Sequence, residues 1–181
     1  MIHHFLLFCC TIALVSAACT NINLFEWLKD HEGVRNCVYT CTAGHPTIGI
    51  GFNLDRSDAP TLIKNYTPYD YRSLRLGSQC FKTNQEMEYL MQKDLELNFY
   101  PCARSAVRNY ESLPQPVRTI IVDMVFNLGC AGFKSFKNTI AAFERRDFSA
   151  AAAGMEASLW CRQVGRRCTH DVGVVRGCIG K

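Results

Sequence analysis

Residues 31–51 read HEGVRNCVYTCTAGHPTIGIG, and the only carboxylate among them is Glu32. The segment before it, NINLFEWLKDHEG (21–33), offers Asn21 as a helix cap, apolar Leu24, Phe25 and Leu28 on one face, and Gly33 as a stop. That pattern predicts a short amphipathic helix ending at Glu32. Downstream, VYT and TIGIGF are β-type runs separated by CTAGHP, a turn carrying Gly44 and Pro46. A helix end therefore feeds a hairpin, and the carboxylate stands at the junction.

Working outward, the chain opens with MIHHFLLFCCTIALVSAAC. An apolar run from Phe5 to Val15, too short to span a bilayer, is followed by small residues. This reads as a signal peptide over 1–17, cleaved after Ala17 or Ala18. No later segment is read as long or apolar enough for a membrane span, so the expected product is secreted, to the extracellular space or a lysosomal or digestive lumen. The 181 residues carry a net charge of +4 and are 48% apolar, which suits one globular domain. So mild an excess suits a polyanionic target such as a bacterial envelope without identifying one. Nothing points to nucleic acid, a metal or an organic cofactor, and a monomer is expected.

Beyond the leader there remain Cys19, Cys37, Cys41, Cys80, Cys102, Cys130, Cys161, Cys168 and Cys178. In an oxidising compartment these predict disulfides, and the absence of CxxC pairs argues against zinc. Their number is odd, so one is expected to be free or paired to another chain.

The text from Asn53 to Gln79 is loop-like. TNQEMEYLMQKDLELNFY then opens with Thr83 three residues before Glu86, a capping box, and continues as a long helix. QPVRTIIVDMVFNLG has Pro116 in a first turn, apolar residues at helical spacing and Gly129 as a cap. FKSFKNTIAAFERRD and SAAAAGMEASLW read as two more helices, with Trp160 in the core. The expected fold class is α+β and mainly helical. One domain spans 18–181, with a helix/β-hairpin lobe (18–82), a connecting helix (83–100) and a larger helical lobe (101–181).

Glu32-Gly33-Val34-Arg35, Tyr39, Gly44 and Thr47-Ile48-Gly49-Ile50-Gly51 resemble the active-site block of the bacteriophage-type lysozymes. The likeness continues through DMVFNLGCAGFKSF, NTIAAFERRDFSAAAAGM and SLWCRQVGRR, in order and at similar spacing. It implies the two-lobed lysozyme fold and hydrolysis of the β-1,4 bond between N-acetylmuramic acid and N-acetylglucosamine in peptidoglycan. Under that resemblance Glu32 matches the general acid, since a glycosidic oxygen leaves poorly unless protonated. Thr47 matches a threonine that holds the attacking water. Phe126 and Thr139 match cleft positions; Asn53 and Gly154 align with cleft-lining positions but differ in type. Arg166 and Arg167 match basic residues near the acid.

Cys41 falls where the phage enzymes carry an aspartate. Three readings stay open: a free thiol or thiolate that activates water or acts as nucleophile, a disulfide partner in a site that lost its base, or replacement by His45, Asp55 or Asp58. The odd cysteine count favours the first. Two other functions compete with hydrolysis. One is a peptidoglycan-binding protein without turnover; the other is a cationic antimicrobial protein independent of Glu32.

Overall fold

The computed structural model describes residues 19–181, so the leader read at 1–17 lies outside the described residues. Helix α1 (Leu24–Glu32) is capped by Asn23, whose side chain accepts from the N–H groups of Phe25 and Glu26; the cap is not Asn21, as the sequence suggested. Gly33 ends the helix in the left-handed region (φ 71°), open to glycine at low cost, and this places Glu32 in the last helical position.

Strands β1 (Arg35–Thr40), β2 (Pro46–Gly49) and β3 (Phe52–Asn53) form an antiparallel sheet in that order. The run TIGIGF is thus not one strand but two, broken by a turn at Ile50 and Gly51. Tyr39 pairs with Thr47, and Thr47 with Asn53, so three side chains stand abreast on one face.

The segment that reads as loop holds two short helices, α2 (Ala59–Tyr66) and α3 (Tyr71–Arg75). Proline in the first turn of α2 and the Asp70 side chain, accepting from Ser73 N–H at α3, start them. Each buries only one to three side chains (Ala59, Leu62 and Ile63; Leu74), too few to leave a legible period.

Helix α4 (Asn84–Asp94) opens with the expected capping box. It passes through a π-helical turn, Leu95–Phe99, into α5 (Tyr100–Ala106), beyond the end expected at residue 100. Pro101 lacks the N–H that an unbroken α-helix needs there, and the wider turn before it absorbs the loss.

Helix α6 (Gln115–Lys134), interrupted at Gly129, runs through the core. By length and composition it could cross a membrane, which corrects the sequence reading; here Val117, Ile120, Ile121, Met124 and Val125 are fully buried within the protein. Helices α7 (Lys137–Glu144), α8 (Phe148–Glu156), α9 (Leu159–Val164) and α10 (Arg166–Gly177) complete the lobe, where the sequence predicted two. Ser158, which caps α9, and Gly165, between α9 and α10, supply the breaks. Trp160 is buried, its indole N–H on the Asn127 side chain.

Four disulfides join Cys19–Cys178, Cys37–Cys80, Cys102–Cys130 and Cys161–Cys168, and Cys41 is the free cysteine among the described residues. The first ties the chain before α1 to the end of α10, closing a loop of 159 residues. Replacing both its cysteines by serine is expected to lower the unfolding free energy by about 4 kcal/mol, read from guanidinium titration of the oxidised protein.

Candidate active site

Glu32 leaves the end of α1 and lies against Gly51: a Cβ built there would sit 2.9 Å from Glu32 Oε2. Gly51 also has φ 68°, so an L side chain at that turn is both strained and obstructed. On its other side Glu32 Oε1 accepts from Arg167 Nη1 at 2.5 Å. Arg167 is itself buried and held by Asp123, which accepts from Nε and Nη2 at 2.8 and 2.9 Å. The carboxylate is thus fixed between the hairpin and the helical lobe, with a fifth of its side chain open to solvent.

The basic pair expected near the acid divides. Arg167 reaches Glu32, whereas Arg166 is exposed and pairs with Asp30 at 3.3 Å. Their side chains leave α10 about 100° apart, and only one phase of the helix faces α1.

Thr47 is buried on β2, and its hydroxyl donates to His45 O at 3.1 Å. Cys41 follows β1 in a tight turn, with its N–H on His45 O and its carbonyl accepting from Gly44 N–H. Burial works against its thiolate. The backbone of His45, Ala43 and Gly44 and the Thr47 side chain close to the sulfur outweigh that and bring the thiol below its usual range. Tyr39 links this group to the acid. Its phenol is pushed up by burial first and then by the nearby charges of Glu32 and Cys41.

The other substitutes for a missing carboxylate are engaged. His45 Nδ1 lies 3.0 Å from Asp55, which also pairs with Arg75 at 2.7 Å. Asp58 accepts from Arg56 at 2.7 Å and from Asn98 at 3.1 Å. Arg56 also meets Asp94 through two nitrogens, at 2.5 and 2.8 Å, bolting the hairpin lobe to α4.

A cleft of about 860 Å³ is lined among others by Gly51, which lies against Glu32, and by Asn53, Arg56, Asp58, Phe99 and Phe126. Phe126 packs on Phe99 with ring centroids 4.8 Å apart. Asn53 and Phe126 therefore share the cleft. Thr139 and Gly154 do not line it. They meet in a second hollow between α7 and α8, where a Cβ on Gly154 would lie 2.5 Å from the Thr139 hydroxyl. Thr139 is buried, which leaves Gly154 as the more open of the two.

A family model described as phage lysozyme matches residues 29–176. The chain belongs to the phage lysozyme family. The chain is similar to two proteins of Dictyostelium discoideum. They are Probable T4-type lysozyme 2, 25% identical over 84% of this chain and 92% of that protein, and Probable T4-type lysozyme 1, 26% identical over 83% and 91%. It is also similar to Pre-baseplate central spike protein Gp5 of Enterobacteria phage T4, 26% identical over 83% of this chain but 27% of that protein.

Sequence reasoning passed over Asp123. A signal was present: a lone acid in the apolar run IIVDMVF must find a partner when the helix is buried. Despite burial, the nearby His31 ring and the two hydrogen bonds from Arg167 keep the Asp123 carboxyl below its usual range. Asp171, fully buried on α10, is driven well above it by burial and then by the Asp123 charge.

Three outcomes follow from these contacts. Arg167→Met leaves Asp123 buried without its counter-charge and is expected to cost about 3 kcal/mol or more in urea unfolding. Gly51→Ala, which crowds the Glu32 carboxylate at a positive-φ turn, is expected to lower the thermal unfolding midpoint, read by calorimetry. Asp171→Asn removes a group with a raised folded-state pKa. Such a group favours the fold only while both states hold the proton and loses that advantage as pH rises toward the folded value. The variant should therefore gain thermal stability at pH 8 and none at pH 3.

Proposed function

We propose that the protein is a secreted muramidase that cleaves the β-1,4 bond between N-acetylmuramic acid and N-acetylglucosamine in bacterial peptidoglycan, in defence or in digestion of bacteria. The observation that carries this reading is the placement of Glu32. Its carboxylate is held between Arg167 and the Gly51 turn, beside the sheet that bears Thr47 and leads into Cys41.

In this mechanism Glu32 donates its proton to the glycosidic oxygen as the bond to the anomeric carbon breaks. A water on the other side of the sugar is oriented by the Thr47 hydroxyl, attacks that carbon and passes its proton to the Cys41 thiolate. Attack on an oxocarbenium-like centre asks more of the water's orientation than of its deprotonation, so a sulfur can serve where a carboxylate usually does. The hydrogen bonds that lower the Cys41 thiol support this role, as does its absence from the disulfides. The cleft's aromatic side, Phe126 on Phe99, offers an apolar face to a sugar ring, and Asn53 offers an amide beside Thr47.

Incubation with purified peptidoglycan tests the reading. Wild type is expected to release reducing ends, and Glu32→Gln to lose that activity by on the order of 10³-fold while still sedimenting with the wall. Wild-type binding without release would favour a binding protein; bacterial killing retained in folded Glu32→Gln would favour a membrane-active one. Cys41→Asp is expected to keep or raise the activity. For Cys41 itself, iodoacetamide labelling of the non-reduced protein should mark this residue alone, with a rate that rises at a lower pH than for a free cysteine.

A further inference from the structure

Behind Glu32 lies a buried polar cluster that the hydrolytic reading leaves unused. Asp171 is fully buried; its Oδ1 accepts from Trp27 Nε1 at 3.2 Å, and its Oδ2 has no hydrogen-bond partner among the described residues. The His31 side chain is 6% exposed, its Nδ1 stands 3.6 Å from Asp123 Oδ1, beyond hydrogen-bond distance, and neither ring nitrogen has a partner. His31, Asp123 and Asp171 each place a polar atom within 4.8 Å of the others.

The charged and titratable groups facing this cluster come from three helices. Helix α1 supplies Asp30, His31 and Glu32, α6 supplies Asp123, and α10 supplies Arg166, Arg167, His170 and Asp171. Asp30 and Arg166 pair with each other at the surface, and His170 takes a 3.4 Å contact from Arg166 while its ring stands 5.7 Å from that of His31. Inside remain Asp123 and Asp171, of which Asp123 is the one hydrogen-bonded to the Arg167 guanidinium. Each unpartnered buried atom costs stability.

We propose that Asp171 is a proton-holding positioning residue for Glu32, acting through Asp123 and Arg167. With Asp171 protonated, Asp123 alone compensates Arg167, and the remaining nitrogen of the guanidinium is committed to Glu32. When Asp171 ionises, a second negative charge draws Arg167 inward and loosens its hold on Glu32, which then keeps its own proton more readily. The two carboxyls are thereby linked, and the linkage is reciprocal. Burial and the Asp123 charge, which hold the Asp171 proton above the usual carboxylate range, place the exchange outside strongly acidic conditions. The inference rests on the reading of Glu32 as the acid.

The Trp27 indole reports on Asp171 without any substrate. Its ¹H–¹⁵N resonance, followed against pH with Trp160 as the internal control, is expected to titrate in wild type with a midpoint above the usual carboxylate range. It should be flat in Asp171→Asn. In Glu32→Gln the midpoint should fall by about half a pH unit or more, because Arg167 is released to serve the cluster. In lysis assays Asp171→Asn should move the alkaline limb of the activity profile to lower pH by a similar amount, with KM unchanged. A Trp27 midpoint indifferent to Glu32→Gln, or an unmoved alkaline limb, would overturn the proposal. If Asp171→Asn does not fold, the Glu32→Gln comparison decides alone. A wild type that releases no reducing ends yet shows the Trp27–Glu32 coupling would sink the hydrolase reading and leave the linkage standing.

Discussion

The guanidinium of Arg167 is the point on which the architecture turns. It lies almost wholly inside the protein, donates twice to Asp123 on α6 and once to Glu32 at the end of α1. Three helices far apart in the chain are thereby fixed to one another by a single planar group. A buried cation is tolerable only when its counter-charges are placed within hydrogen-bond reach, so the positions of α1 and α10 on α6 are mutually constrained. An arginine suits this better than a lysine, because its flat fork addresses two carboxylates in fixed directions at once.

The same constraint explains where the sequence is legible. The end of α1 at Gly33, the hairpin and the capping box of α4 are local, each set by a few neighbouring residues with one dominant physical cause. The helices α2 and α3 are less visible because one to three buried side chains carry no periodic signal. The π turn before Pro101 has no signature except the proline itself. Long-range pairing is harder still. Asp123 stands out in IIVDMVF as an acid that needs a partner, but nothing in that run names a residue 44 positions away. Arg166 and Arg167 are adjacent and chemically alike, and only the phase of α10 separates the buried one from the solvated one.

The free cysteine shows a similar division of labour between composition and geometry. An odd count of cysteines implies that one stands apart, and the match to the family's aspartate marks Cys41 as the natural one. What sequence does not show is its environment. The turn from residue 41 to 45 aims backbone N–H groups toward the sulfur, and the Thr47 side chain adds to them. That setting favours the thiolate more than an ordinary cysteine's surroundings do. The positions that the resemblance matched to the cleft divide for a comparable reason. Asn53 is set beside Thr47 by strand register and so enters the cleft, whereas Thr139 and Gly154 meet each other where α7 crosses α8.

A domain that buries Arg167, Asp123, Asp171 and His31 together accepts a loss of stability that an apolar core would avoid. The four disulfides bear on this directly. Cys19–Cys178 restrains the two ends of the chain, and α10, which carries Arg167 and Asp171, stops one residue short of that link. Cys161–Cys168 adds a second restraint, with Cys168 next to Arg167 in the same helix. By limiting the unfolded chain, these bonds offset the penalty of the polar cluster without touching its contacts. The helix that must hold charges beneath the acid is therefore the one most tightly tied down covalently. Weakening either link should loosen the position of Arg167 before it loosens the apolar core around α6.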